Sequence, residues 1–78
     1  MPDPNSLLQA ELAAAASCDD CLMRMATTCA LSGLRTSHIT SLVKRGAFPR
    51  PIKLSHKVVR WRAGDVKKWL AEKVAAAA

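Results

Sequence analysis

The side chains best suited to chemistry in this 78-residue chain are its twelve lysines and arginines, which all fall in residues 22–78. Only Asp65 and Glu72 oppose them there, whereas residues 1–21 carry four acidic side chains and no basic one. The two segments therefore have formal charges of +10 and −4, which sum to +6. Such a surplus repels itself in a compact fold. It indicates a polyanionic partner, most commonly nucleic acid, because each neutralised phosphate releases counterions.

One set of polar side chains falls at helical spacing within residues 36–46. Ile39, Leu42 and Val43 recur at i, i+3 and i+4, which predicts the buried face of a helix. The opposite face then carries short hydroxyl and basic groups, which can approach the edges of bases in the major groove. The alternative is the ordinary solvated face of an amphipathic helix. The predicted DNA-contacting residues on and beside this helix are Arg35, Thr36, Ser37, His38, Thr40, Ser41, Lys44 and Arg45.

A second basic set follows in a predicted β-hairpin over residues 51–62. Alternation places Val59 and Trp61 on one side of the hairpin and Arg60 on the other. Such a hairpin can lie along the DNA backbone or enter the minor groove. An alternative role for Arg60 is to hold the fold by hydrogen bonds to backbone carbonyls. The predicted contacts of this wing are Lys53, His56, Lys57, Arg60 and Arg62.

The Cys18-Asp-Asp-Cys21 sequence has the spacing of a zinc knuckle or a redox pair. With Cys29 and His38 it could nominally supply four metal ligands, but no second C-x-x-C or paired histidine is present. Adjacent aspartates also raise a thiol pKa, which argues against a redox role. We therefore predict no metal and no cofactor, and keep a zinc-dependent fold as a weaker hypothesis. With no nucleophile-and-base constellation or glycine-rich phosphate loop, we also predict that the protein is not an enzyme.

Several short elements are needed to position these side chains. Asn5 or Ser6 could cap a helix that runs through Ala16. The apolar stretch 22–25 suggests a small strand. Thr27 or Thr28 could then cap a helix over about 28–32.

Further along, Gly33 is expected to end that second helix, and Gly46 to end a third that Thr36 or Ser37 caps. After the hairpin, Asp65 lies in the first turn of a last helix, where its charge suits the helix dipole. The apolar stripe of this helix is Val66, Trp69, Leu70 and Val74, and both tryptophans are expected in the core. We thus predict a mainly α fold with a small β-hairpin wing, in the order of a winged helix-turn-helix.

The change in charge also suggests a domain boundary. Residues 1–21 are predicted to be an acidic N-terminal segment, either a short helix or disordered, and residues 22–78 the winged helix-turn-helix domain. The chain has no transmembrane run or basic signal-peptide leader, so no membrane partner is expected. An odd number of cysteines fits a reduced, cytoplasmic compartment better than a secreted disulfide framework.

Residues 23–74 resemble the AlpA-type phage regulators, which are related to MerR and excisionase proteins. The matching stretches are Leu31-Ser32-Gly33-Leu34, Ile39 to Val43, Lys44-Arg45-Gly46-Ala47-Phe48-Pro49-Arg50-Pro51-Ile52-Lys53-Leu54, Val59-Arg60-Trp61-Arg62 and Val66-Lys67-Lys68-Trp69-Leu70-Ala71-Glu72. The resemblance implies a double-stranded-DNA-binding transcriptional regulator from a prophage, acting in the bacterial cytoplasm and associated with the nucleoid.

Three questions stay open at the level of sequence. Relatives of this kind also act as excisionases together with an integrase, which is a first alternative to promoter regulation. A second alternative is a protein-interaction adaptor or anti-repressor that uses the acidic segment. A homodimer or a cooperative array on DNA is compatible with either DNA-binding role.

Overall fold

A computed structural model describes residues 3–77, and within them the chain forms four helices and a three-stranded sheet. The elements follow in the order α1 (Pro4–Ser17), β1 (Leu22–Met23), α2 (Met25–Ser32), α3 (Thr36–Lys44), β2 (Ile52–Lys53), β3 (Val59–Arg62) and α4 (Ala63–Ala77). Two helices joined by a turn, then a hairpin and a last helix, confirm the predicted fold class.

The first helix begins at a different cap from the one predicted. The Asp3 carboxylate accepts a hydrogen bond from the Ser6 backbone N–H at 2.7 Å, and Pro4 follows it, so Asn5 and Ser6 are not the caps. This is the favoured arrangement, since a proline at the first helical position has no N–H to leave unpaired. The helix packs against α2, α4 and β1, and Ala15 is fully buried. The division of the chain at residue 21 stays a prediction.

The second helix starts earlier than predicted. It begins at Met25, with Arg24 at the N-cap and no side-chain cap. Thr27 and Thr28 lie inside the helix and are fully buried, so the prediction that they cap it is wrong. The Thr28 hydroxyl donates to the Arg24 carbonyl at 3.0 Å, which satisfies it without solvent. Gly33 ends the helix at φ 75°, with its N–H bonded to the Cys29 carbonyl, as predicted.

The third helix has the predicted buried face but not the predicted cap. Ile39 is fully buried, and Leu42 and Val43 pack against the core from half-buried positions. Arg35 occupies the N-cap in an extended conformation without a side-chain bond, so neither hydroxyl residue at 36 or 37 caps the helix. Gly46 closes the helix as predicted, at φ 71° and with its N–H bonded to the Val43 carbonyl.

The sheet contains a strand pairing that the sequence did not predict. The hairpin predicted over residues 51–62 is present as β2 and β3, with a two-residue first strand and a four-residue second strand. β1 pairs with the other edge of β3, which gives the antiparallel order β1-β3-β2. Met23 therefore lies opposite Trp61, and both side chains are buried in the core. Because β1 directly precedes α2 and β3 directly precedes α4, this pairing fixes the starts of the two helices relative to each other.

Aromatic side chains close the core beneath the hairpin. Trp61 is 3% exposed, and its indole N–H donates to the Pro49 carbonyl at 3.1 Å. The Trp69 indole N–H donates to the Ala47 carbonyl at 2.8 Å, and the ring centroids of Trp69 and Phe48 lie 4.8 Å apart. The prediction of a core position is confirmed for Trp61, whereas Trp69 is half-buried and packs against the core from its edge. Val74, by contrast, is exposed because α4 extends beyond the core, so the apolar stripe ends one turn earlier than predicted.

Candidate nucleic-acid interface

The outer face of α3 is the polar surface on which the predicted contacts lie. With Ile39 turned into the core, every predicted side chain on or beside this helix is exposed. This set consists of Arg35, Thr36, Ser37, His38, Thr40, Ser41, Lys44 and Arg45. The helix thus offers a continuous surface of hydroxyl, imidazole and cationic groups to a partner.

Two of the hydroxyls on α3 already have partners in the protein. The Thr40 hydroxyl donates to the Thr36 carbonyl at 2.9 Å, and the Thr36 hydroxyl lies 3.6 Å from the Cys29 sulfur on α2. Within residues 3–77, the hydroxyls of Ser37 and Ser41 make no hydrogen bond to protein. These two serines are therefore the hydroxyl side chains best able to bond an external partner.

The predicted wing contacts divide into an exposed tip and a half-buried base. Lys53, His56 and Lys57 are exposed around the tip, which the hydrogen bond from the Leu54 N–H to the Val58 carbonyl closes at 2.8 Å. Arg60 is half-buried, and its Nη1 donates to the Val59 carbonyl at 2.8 Å. This is a hydrogen bond to a backbone carbonyl, which is the alternative role predicted for Arg60, and it uses one donor of the guanidinium.

Arg62 differs from the other predicted contacts because two carboxylates bind it. Its Nη2 lies 3.0 Å from Oδ1 of Asp20, and its Nη1 lies 3.0 Å from Oδ1 of Asp65. These hydrogen bonds raise the pKa of the Arg62 guanidinium, with Asp20 making the larger contribution. Arg62 thus links the turn after α1, through Asp20, to the first turn of α4, through Asp65.

The acidic N-terminal segment neutralises basic groups away from α3. Glu11 pairs with Arg24 at 2.6 Å, and Asp19 pairs with Lys67 on α4 at 2.7 Å. The Arg24 hydrogen bond, and next that from Thr27, lowers the pKa of Glu11; the Lys67 hydrogen bond lowers the pKa of Asp19. The positive charge that remains unpaired is thereby displaced toward α3, the wing and the outer side of α4.

Nine of the twelve basic side chains make no ion pair within residues 3–77, since only those at positions 24, 62 and 67 do so. The nine are Arg35, Lys44, Arg45, Arg50, Lys53, Lys57, Arg60, Lys68 and Lys73. Arg50 is exposed at the base of the wing and was missed from the sequence. Its position between Pro49 and Pro51, which holds it in an extended loop beside the hairpin, is the signal that could have found it.

An apolar groove brings α3 and the wing together. Its volume is about 250 Å³, and it is lined by Thr40, Val43 and Lys44 from the helix and by Pro51, Val59 and Trp61 from the wing side. Lys44 thus stands at the junction of the two predicted contact elements. Elsewhere in residues 3–77, no three histidine, cysteine or acidic side chains lie together as a metal site, and the three cysteines are free.

In a comparison with known protein families, residues 21–74 match the family described as prophage CP4-57 regulatory protein (AlpA). The match spans more than half of the chain. This chain belongs to the AlpA family. No curated protein and no solved structure matches it closely enough to be called similar.

The AlpA match contains every predicted contact residue, from Arg35 to Arg62. It begins at Cys21, immediately before β1, and ends at Val74 on α4, so that α1 lies outside it. Membership supports a prophage regulatory role, whereas the individual contact residues stay predictions. No helix within residues 3–77 of this AlpA member combines the length and apolarity needed to span a bilayer.

Proposed function

We propose that this AlpA member is a prophage transcriptional regulator that binds specific sequences of double-stranded DNA. The observation that carries the proposal is the segregation of charge. Glu11 and Asp19 pair with Arg24 and Lys67, away from α3, and Asp20 pairs with Arg62 at the base of the wing. The cations of α3 and the remaining cations of the wing have no acidic partner in the described chain. A surface with unpaired cations beside exposed hydroxyls suits a partner that offers both phosphates and base edges.

The dimensions of α3 fit the proposed contact. An α-helix with its side chains is about 10–12 Å across, and the major groove is about 12 Å wide. In this arrangement Ser37, His38 and Ser41 would face base edges, because their side chains are short and exposed. Lys44 and Arg45, at the end of the helix, would bind phosphates, and Arg35 would do so at its start.

The basic side chains of the wing also support the proposal. The wing lies across the apolar groove from Lys44 of α3. Lys53 and Lys57, together with Arg50 at its base, would follow the backbone of the adjacent DNA segment. His56 at the tip and Arg60 on the central strand are proposed as further contacts at the minor groove. Arg62 is proposed to contribute chiefly by holding the hairpin against α4, since its guanidinium already binds two carboxylates.

Selection of duplexes from a random pool, followed by fluorescence anisotropy, tests this function directly. We expect a shared motif in the selected DNA and tight binding at low salt. About five or six phosphate contacts predict a slope near −5 in a plot of log K against log salt concentration. No association with any duplex at low ionic strength, or equal affinity for all sequences, would contradict the proposal.

Excisionase activity is the alternative within DNA binding, and it uses the same surface. An excision assay with the integrase encoded in the same element separates the two roles. Unchanged recombination in the presence of this protein would eliminate the excisionase role.

An adaptor or anti-repressor role is less favoured, because the carboxylates of Glu11, Asp19 and Asp20 already form ion pairs within the protein. As a regulator of a prophage, the protein is proposed to act on the nucleoid in the bacterial cytoplasm, as a homodimer or a cooperative array on DNA.

A further inference from the structure

The turn between α1 and β1 holds two cysteines that the proposed DNA-binding function does not use. Cys18 is exposed at the end of α1, and Cys21 is half-buried three residues later. The Cys21 backbone N–H donates to the Cys18 carbonyl at 3.4 Å, which closes a β-turn over these four residues. The first and last Cα atoms of such a turn lie within about 7 Å. Disulfides join Cα atoms about 4.4–6.8 Å apart, so a β-turn holds the two Cα atoms near the separation that a disulfide spans.

We propose that Cys18 and Cys21 form a dithiol site that reacts with low-molecular-weight disulfides and closes into an intrachain disulfide. The Cys18 thiolate attacks one sulfur of RSSR, and the leaving thiolate takes up a proton as RSH. The Cys21 thiolate then attacks the Cys18 sulfur of the mixed disulfide and displaces a second RSH. Two protein thiols are thereby oxidised to one disulfide, and RSSR is reduced to two RSH.

The order of attack follows from exposure. Cys18 is open to solvent and can meet a glutathione-sized molecule, whereas Cys21 donates its thiol to the Ala14 carbonyl at 3.6 Å, at the end of α1. Cys29 does not belong to this turn. Its sulfur lies beside the Thr36 hydroxyl, at the junction of α2 and α3. Cys18 and Cys21 thus share one turn, whereas Cys29 lies on α2. The Cys29 thiol can therefore serve as an internal control in oxidation experiments.

The two aspartates of the turn do not oppose this chemistry as strongly as their sequence positions suggest. Asp19 binds Lys67 and Asp20 binds Arg62, so each negative charge is paired with a cation. The Cys18 thiol, then burial, raises the pKa of Cys21, with Asp20 adding to this effect and Lys67 opposing it. A raised thiol pKa slows the second attack near neutral pH without weakening the disulfide once it has formed.

The same turn is anchored at both ends, which preorganises it. Its carbonyls at Asp19 and Cys21 accept hydrogen bonds from the Gly64 and Ala63 N–H groups at 2.9 and 2.8 Å. These are the first N–H groups of α4, which would otherwise lack partners. Because α4 and the two ion pairs hold the backbone of the turn, closure costs less ordering than in an unfolded chain.

The test uses the full chain, reduced and then equilibrated with oxidised and reduced glutathione before alkylation and mass spectrometry. We expect a loss of about 2 Da, the mass of two hydrogen atoms, with Cys18 and Cys21 protected and Cys29 alkylated. Cys29→Ser should behave identically, whereas Cys21→Ser should stop at a glutathione adduct on Cys18. Far-ultraviolet circular dichroism confirms that each variant is folded.

A comparison with the denatured chain makes the test specific to the fold. The equilibrium constant for closure should be about tenfold or more larger in buffer than in concentrated urea. The rate of the second step should rise as the pH approaches the thiol pKa of Cys21. Equal closure constants in the two solvents, persistent adducts without closure, or a disulfide that includes Cys29 would each overturn the proposal.

Discussion

Glu11 of α1 and Arg24, which precedes α2, form a two-point contact across thirteen residues of chain. Oε1 of Glu11 lies 2.6 Å from Nη2 of Arg24, and Oε2 accepts from its Nε at 3.1 Å. The buried Thr27 hydroxyl donates to the same Oε2. One carboxylate thus binds the guanidinium of Arg24 at the N-cap of α2 and the hydroxyl of Thr27 inside that helix, and so joins α1 to α2.

Removing this carboxylate is expected to destabilise the protein. Glu11→Ala would leave the Thr27 hydroxyl buried without a partner, which costs about 1–3 kcal/mol of unfolding free energy. Urea unfolding at neutral pH measures the loss. Glu72→Ala is the matched control, because Glu72 is exposed and makes no ion pair within residues 3–77. Equal stability of the two variants would show that the contact contributes nothing.

The stability of the protein should fall in acid. The pKa values of Glu11 and Asp19 are lowered in the folded protein, so their stabilising contribution is fully present above the unfolded carboxyl pKa of about 4 to 4.5. It is lost as the pH falls through the lower folded values, because protonation breaks the pairs with Arg24 and Lys67. Urea unfolding between pH 7 and pH 3 measures this decline. A Glu11→Gln/Asp19→Asn variant should show a shallower decline, and an identical slope would contradict the assignment.

Charge reversal at the end of α3 tests the proposed recognition helix. Lys44→Glu/Arg45→Glu should weaken DNA binding by about 100-fold or more while leaving the melting temperature nearly unchanged, since both side chains are exposed. Anisotropy titration and thermal melting measure the two effects. Lys68→Glu/Lys73→Glu on α4 makes the same change in net charge and serves as the control. If the α4 variant loses as much affinity as the α3 variant, the interface lies elsewhere or is nonspecific.

Gly64→Ala should destabilise α4, although alanine usually favours a helix by about 1 kcal/mol over glycine. A Cβ at this position would lie 2.8 Å from the Asp19 Cβ and 2.7 Å from Nη1 of Arg62. The arginine end can move, but the aspartate Cβ belongs to the turn that binds the start of α4. We expect a net loss of about 1 kcal/mol in urea unfolding, by analogy with other overpacked sites. A gain in stability would show that the turn yields freely.

Deletion of residues 1–21 tests whether the acidic segment is separable. The structure predicts a large loss of stability, because deletion removes the buried Ala15 side chain, the partner of Thr27 and the carbonyls that bind the first N–H groups of α4. Thermal melting by circular dichroism measures it. An unchanged melting temperature would favour an independent segment and leave residues 22–78 as the folding unit.

The sequence predicted the features that depend on local spacing. The i, i+3, i+4 recurrence of Ile39, Leu42 and Val43 located the inner face of α3, and its outer face followed by exclusion. Gly33 and Gly46 marked the helix ends because their positive φ values suit glycine. These signals are contained within one or two turns of chain, so they can be read without knowing the neighbours.

The sequence misplaced features that depend on distant partners. Thr27 and Thr28 look like helix caps, but both lie inside α2. Glu11 of α1 accepts from the Thr27 hydroxyl, a distant partner, whereas the Thr28 hydroxyl donates to the nearby Arg24 carbonyl. Arg62 stays a predicted wing contact, but its ion pair with Asp20, 42 residues away, was not predicted because only the fold brings the two together, whereas Asp65 binds it from three residues along the chain. In both cases a polar group has several possible partners, and the chain path selects among them.

The amino-acid sequence by itself determined the helical periodicity, the turn glycines, the hairpin and the excess of positive charge, because each of these depends on residue type and short spacing. Only the tertiary structure decided which cations remain unpaired. Ion pairing requires atoms to come within about 4 Å, and the fold brings Glu11, Asp19 and Asp20 to Arg24, Lys67 and Arg62 rather than to α3. That choice of partners leaves the cations of α3 and of the wing tip, the surface proposed to bind DNA, without ion pairs in the described chain.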